Sequence, residues 1–273
     1  MSGVEGPSPE EARQQGRLAH RDGGPRTWLL RQMSELARHA SAQSVLLLTI
    51  GIGGVLVVGL TAASASVYEA VAEKDGVSGL DDPVLNQAIS WRTPLNARLI
   101  TWFTYLGGPT GMTILATCLT VAMVLRWRSI TPLILMVCAV AGSLSFTMVG
   151  KAVVGRPRPS LANAVPPYEY AFSFPSGHAL NSTVIAGMVA YLVAIRLTSH
   201  LARALCVLAA ALWATAMGLS RVFLGHHWLT DVMFAWLLGL AWLALLITAH
   251  RVYLTVGRLR ARAANARSAI DSG

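Results

Sequence analysis

Two histidines, an arginine and an aspartate stand close together in the stretch from Ser220 through Arg221, Gly225, His226, His227 and Trp228 to Asp231, between two long apolar runs. Charged side chains beside membrane hydrocarbon are costly, so such a cluster calls for a function. With a helix beginning near His227, His227 and Asp231 fall four residues apart on one face. That spacing lets a carboxylate take the proton of one ring nitrogen and leaves the other basic, as a nucleophile or a base. The plainer alternative is a pair of interfacial histidines with an aspartate favoured at a helix N-terminus by the dipole.

Two further clusters bear on the choice. Lys151, Arg156 and Arg158 follow one another at the end of an apolar run, in Lys151-Ala-Val-Val-Gly-Arg156-Pro157-Arg158-Pro159. Arginine grips phosphate oxygens in pairs and lysine adds a point charge, so the set suits a phosphate, with lipid headgroups in general as the alternative. Phe174-Pro175-Ser176-Gly177-His178 opens the next run. Small residues at a helix start offer free N–H groups to an anion, Ser176 adds a hydroxyl, and His178 is placed to hand a proton to a leaving oxygen. Here the alternative is an ordinary N-cap serine with an incidental histidine.

The elements that must carry these clusters read as membrane helices. The chain has 273 residues, 54% of them hydrophobic and only 13% charged, with a net charge of +9. Six runs are long enough to span about 30 Å of hydrocarbon. They cover approximately Val45 to Ala63, Pro109 to Leu125, Ile130 to Val149, Ala179 to Leu197, Ala202 to Leu219 and Leu229 to Ala249. With the N-terminus inside, most of the 22 basic residues are cytoplasmic, and only Lys74, Arg92, Arg98, Lys151, Arg156, Arg158 and Arg221 are left outside. Both termini are therefore expected in the cytoplasm and the three clusters outside it. The positive charge suits anionic lipid headgroups and is no signal for nucleic acid. Cys118, Cys138 and Cys206 fall within apolar runs, where no disulfide framework or metal site can be built from them.

The expected organisation is a mobile cytoplasmic tail over 1–43, a six-helix membrane domain over 44–250 and a basic cytoplasmic tail over 251–273. The first tail has room for a short surface helix near Trp28 and Met33. Ala63-Ser64-Ala65 resembles a signal-peptidase site, but the polar region before it is too long for an ordinary signal peptide, so the first run is read as retained. Within the membrane domain, an external segment over 66–108 shows helical spacing in its second half, at Val84, Leu85, Ala88 and Ile89 and again at Leu95, Leu99, Ile100 and Phe103. It reads as a helix in the interface or across the bundle mouth. Asp81 and Asp82, followed at once by Pro83, read as a helix cap rather than metal ligands. The loop over 151–178 is rich in proline and aromatics, which marks the outer face as the working face.

Together the clusters run Lys151, six residues, Arg158-Pro159; then Pro175-Ser176-Gly177-His178; then Ser220-Arg221, five residues, His227, three residues, Asp231. This resembles the three-part signature of the type 2 phosphatidic acid phosphatase superfamily, with every position filled. The resemblance implies an all-α polytopic fold of six transmembrane helices with an extracytoplasmic active site. It implies His227 as a nucleophile that becomes a phosphohistidine, Asp231 as its orienting acid, and His178 as acid for the leaving group and then base for water. It implies Lys151, Arg158, Ser176, Gly177 and Arg221 as ligands of the phosphoryl oxygens, with Arg156 and His226 secondary, reading a second phosphate or the headgroup. Positive and dipolar groups alone can offset the charge of phosphoryl transfer. Asp231 and Glu169 read as the only acids near the site, too few for a magnesium centre, so neither metal nor cofactor is expected.

The expected partner is a lipid substrate in the bilayer of a bacterial cell envelope. Polyprenyl diphosphate ranks first, ahead of phosphatidic acid and phosphatidylglycerol phosphate. A lipid phosphotransferase using the same phosphohistidine is the alternative within enzymes. A transporter or scaffold with a degenerate site is the alternative outside them, and it would normally lack one of the catalytic residues, all of which are present.

Overall fold

The protein, seen as a computed structural model, is described over residues 42–271, and the described residues hold helices and no strand. In chain order these are α1 (Ala42–Glu73), α2 (Asp81–Ser90), α3 (Pro94–Gly107), α4 (Pro109–Trp127), α5 (Thr131–Val154), α6 (Gly177–Ala194), α7 (His200–Phe223) and α8 (Leu229–Asp271). Six of them, α1 and α4 to α8, are long and apolar enough to cross a membrane. They answer one for one to the six apolar runs, so the all-α six-span expectation holds. Nearly all of the tail over 1–43, including the surface helix expected near Trp28, lies outside the described residues. At the other end α8 continues as helix to Asp271, well beyond the apolar run.

The described chain divides into two compact units. One is Thr49–Leu254, which carries every candidate site residue; the other holds the described residues before Thr49 and after Leu254. Within the first unit α6 is the central pillar, since 56% of its apolar window is buried against 6% for α1. Its Ala179, Leu180, Val184 and Met188 are wholly enclosed. A helix apolar on every side can be stable only when surrounded in this way or bathed in lipid. Small residues let the neighbours close in: a Cβ on Gly187 would lie 2.3 Å from Leu243 of α8, and one on Gly218 would lie 2.6 Å from Trp236.

The helix ends explain where the site falls. Ser176 caps α6 with its hydroxyl accepting from Ala179 N, and Gly155 ends α5 at φ 59, a conformation glycine adopts without strain. The C-terminal ends of α5 and α7 and the N-terminal ends of α6 and α8 meet at one end of the bundle, where the long loop between α5 and α6 covers them. That loop is tied down by Val165 N donating to Leu224 O at 2.9 Å and Ser173 N to Arg156 O at 2.8 Å.

The external segment forms two helices rather than one. Thr93 and Asn96 form a reciprocal capping box ahead of Pro94, which begins α3. Leu85 and Ala88 of α2 are buried, while Leu95, Leu99 and Trp102 of α3 are exposed, as an interfacial helix would leave them. The cap reading of Asp81 is corrected by the structure. Its carboxylate makes no cap bond to α2 but accepts from Thr230 N at 2.9 Å and Thr230 Oγ1 at 2.7 Å, and it pairs with Arg156.

Candidate active site

His227 and Asp231 come together through a turn, not through one helix face alone, since α8 begins at Leu229. Asp231 Oδ2 accepts from Trp228 N at 3.0 Å, closing that turn, and lies 3.3 Å from His227 Nδ1. Ser173, two residues before Pro175, also donates to Oδ2 and sits 3.3 Å from the same ring nitrogen. On the far side of the ring, His227 Nε2 is 3.2 Å from Arg158 Nη1. A guanidinium has no lone pair to offer, so Nε2 must be the acceptor and Nδ1 the protonated nitrogen facing the carboxylate. The geometry thus fixes the tautomer that leaves the ring's lone pair on Nε2. Burial, then the cations Arg158 and Arg221, hold His227 well below the ordinary histidine range, so the ring is neutral at physiological pH.

The three signature cations surround this ring. Lys151, in the last turn of α5, donates to Phe172 O. Arg158 donates Nε to Ala171 O and Nη1 to His226 O, both at 2.6 Å. Arg221 is 1% exposed, donates Nη1 to Thr104 Oγ1 at 3.0 Å, and keeps a buried Nε with no hydrogen-bond partner. Glu169 joins two of them, pairing with Arg158 at 2.8 Å and with Arg221. Burial alone would raise its carboxyl, but Arg221 and Arg158 outweigh burial and bring it to about 2.

Lys151, Arg158, Glu169, Gly177, His178 and His227 all face a cavity of about 1030 Å³. From this polar end it continues between α4, α5 and α6 past Met112, Ala116, Val140, Leu144 and Ile185 to Leu133. Lys151 and Leu133 are eighteen residues apart on α5, which is about 27 Å of helix. Gly177 and His178 open α6 on the cavity wall, where first-turn N–H groups have no acceptor within their own helix. A smaller cavity of about 150 Å³ lies against His178, Glu169, Arg221 and His226.

Three sequence expectations change. Ser176 is fully enclosed with its hydroxyl turned into the α6 cap, so the cavity meets this turn at Gly177. His226 is 3% exposed: its Nδ1 accepts from Arg221 Nη2 at 2.6 Å and its Nε2 donates to Val165 O at 2.7 Å. Both nitrogens are committed inside the protein, which removes it as a reader of a second phosphate; burial and Arg221 lower it to about 4. Arg156 is likewise absorbed, bridging Asp231 and Asp81 with its guanidinium 5.5 Å from the Trp228 ring centroid.

Comparisons with known proteins point to one family. Residues 131–253 match the model of the PAP2 superfamily. Phosphatidylglycerophosphatase B of Bacillus subtilis is 28% identical over 177 residues, which cover 64% of this chain and 85% of the relative. The crystal structure of a transmembrane PAP2-type phosphatidylglycerolphosphate phosphatase from Bacillus subtilis superposes with a TM-score of 0.66 at 25% identity, covering 72% of this chain and 96% of that one. Over α5 to α8 the chain is thus similar to the PAP2 superfamily. With its six span-length helices it is a multi-pass membrane protein, similar to a transmembrane PAP2-type phosphatase.

The PAP2 match begins at α5, so several residues that hold the site lie before it. Asp81 on α2, Arg92 after α2 and Thr104 on α3 all bond to site elements; Arg92 Nε donates to Phe223 O at 2.6 Å. Asp81 also corrects the count of acids near the site. A signal for Asp81 existed only in its repetition with Asp82 before Pro83, and for Ser173 there was none beyond its nearness to Pro175.

Proposed function

We propose that this protein is a lipid phosphate phosphatase acting through a phosphohistidine on His227. The observation that carries the reading is the neutral His227, Nδ1 toward Asp231 and Nε2 toward Arg158, standing where a cationic pocket opens into an apolar groove. In the first step Nε2 bonds to phosphorus while the bond from phosphorus to the lipid oxygen breaks, and His178 protonates that oxygen. In the second, His178 takes a proton from water, whose oxygen attacks the phosphohistidine and releases inorganic phosphate with His227 neutral again. Lys151, Arg158, Arg221 and the N–H groups at Gly177 stabilise the charge spread over the phosphoryl oxygens. These cations supply the role that a metal ion plays elsewhere, so turnover is expected without one.

The groove suits a lipid tail, and the names of the Bacillus subtilis relatives favour phosphatidylglycerol phosphate as substrate, ahead of phosphatidic acid and the polyprenyl diphosphate that the sequence reading ranked first. The site is read as extracytoplasmic and both termini as cytoplasmic, because Arg126, Arg128, Arg196 and Arg203 lie at the opposite ends of α4, α6 and α7 from the site.

The test is phosphate release from these three lipids by the purified protein in detergent with EDTA. Release by the wild type and loss of about 10⁴-fold or more in His227→Ala is the expected result. Turnover near wild type in the variant excludes covalent catalysis at His227, and transfer to an added alcohol in place of water would make the protein a phosphotransferase.

A further inference from the structure

Arg156 fills no position of the three-part signature and Asp81 lies outside the matched residues altogether, yet they form a closed ring with Thr230 behind Asp231. Arg156 Nη1 donates to Asp231 Oδ1 at 2.6 Å and to Thr230 Oγ1 at 2.8 Å, and its Nη2 donates to Asp81 Oδ2 at 2.7 Å. Thr230 closes the ring by donating Oγ1 to Asp81 Oδ2 at 2.7 Å and N to Oδ1 at 2.9 Å. Asp81 is 4% exposed and Thr230 and Asp231 are fully enclosed. Neither Arg156 nor Asp81 forms a wall of the large cavity.

We propose that Asp81 and Arg156 are positioning residues that fix the Asp231 carboxylate and set how much of its charge reaches His227. The proposal rests on the phosphohistidine reading of His227. Oδ2 of Asp231 already serves Ser173, Trp228 and His227, so Oδ1 is where the plane of the carboxylate can be held. A guanidinium bound to Oδ1 alone would draw negative charge away from the imidazole. Asp81 shares that guanidinium and so leaves Asp231 a stronger acceptor for the His227 Nδ1 proton. Thr230 N is a first-turn donor of α8 with no acceptor in its own helix, and Asp81 takes it at the positive end of the helix dipole. One carboxylate from α2 thus anchors both the start of α8 and the arginine that steadies the acid on it.

The other charged groups acting on His227 are Arg158 and Glu169 of the loop, Arg221 of α7 and Lys151 of α5. None belongs to the ring, so their contribution is common to every variant below. The experiment measures kcat and KM for phosphatidylglycerol phosphate in detergent from about pH 4 to 8 for wild type, Asp81→Asn, Arg156→Gln and Arg156→Lys, since the acid limb of kcat/KM reports the free enzyme's base. Loss of a cation favours the imidazolium and loss of an anion disfavours it. The acid limb is therefore expected to move up by about one pH unit in Arg156→Gln and down in Asp81→Asn. Arg156→Lys keeps the charge but not the fork, so its limb stays while kcat falls. In all three kcat falls about 10- to 100-fold with KM nearly unchanged, as for loss of an outer hydrogen-bond partner.

Limbs that coincide in Arg156→Gln and wild type, or a raised KM at unchanged kcat, would overturn the proposal. Should Arg156→Gln fail to fold, the isosteric Asp81→Asn decides by the kcat against KM comparison. His227→Ala in the same assay separates the two levels: turnover surviving there overturns the reading on which the proposal rests, not the ring.

Discussion

Glu169 lies between Arg158 and Arg221, in the space that a phosphoryl group would need under the proposed function. A substrate phosphate arriving there must displace a carboxylate whose charge the same two arginines favour, so part of the binding energy is set against that exchange. Glu169→Gln is expected to bind inorganic phosphate about tenfold more tightly, about 1.4 kcal/mol, read as competitive inhibition of turnover. The carboxyl is held at about 2, below its ordinary 4.5. Its competition and its contribution to stability are therefore complete above the ordinary value and are lost as pH falls from there toward 2. Phosphate inhibition in the wild type should tighten over that acid window, while in Glu169→Gln that gain should be absent. His227 and Asp231 were legible in the sequence because four-residue spacing brings side chains together locally. Ser173, 58 residues before Asp231, and Asp81, 149 before Thr230, have no such periodic relation to their partners. Side chains that steady an acid need only the right place in space, and the sequence alone does not supply it.

At the scale of elements, the spans were readable because each apolar run is long and is bounded by charged or breaking residues. The ends were less so: α1 runs ten residues past Ala63 to Glu73, since polar residues continue a helix readily once it leaves the hydrocarbon. What joins the elements at the site is two loops held against each other. Gly225, at φ 73, makes the turn between Phe223 and His226, and a Cβ there would stand 2.3 Å from Asn163 O. Gly225→Ala meets a left-handed backbone and a carbonyl at once, a cost of about 1–3 kcal/mol from the backbone alone. It is expected to lower the unfolding midpoint in detergent by several degrees and to reduce turnover, because the displaced loop carries His226 and His227. An unchanged midpoint would mean that the two loops are not coupled.

For the whole molecule, function under the proposal depends on which side of the bilayer the loop end of the bundle faces. Leu161 and Thr198 lie at opposite ends of the spans and are both exposed. With the three native cysteines replaced, Leu161→Cys should react with an impermeant maleimide on intact cells, and Thr198→Cys only after permeabilisation. The reverse pattern would put the site in the cytoplasm and break the positive-inside argument.

The ring around Thr230 also bears on where this protein can be cut or recombined. The matched residues 131–253 look like a transferable unit, yet the start of α8 is held by a carboxylate from α2, and Arg221 leans on Thr104 of α3. A chimera that exchanges only the matched part between relatives would leave Arg156 facing a foreign α2 with no assured counter-charge. Residues 76–107 must travel with α5 to α8 for the graft to remain one working enzyme, so the heritable unit is larger than the one that sequence matching outlines.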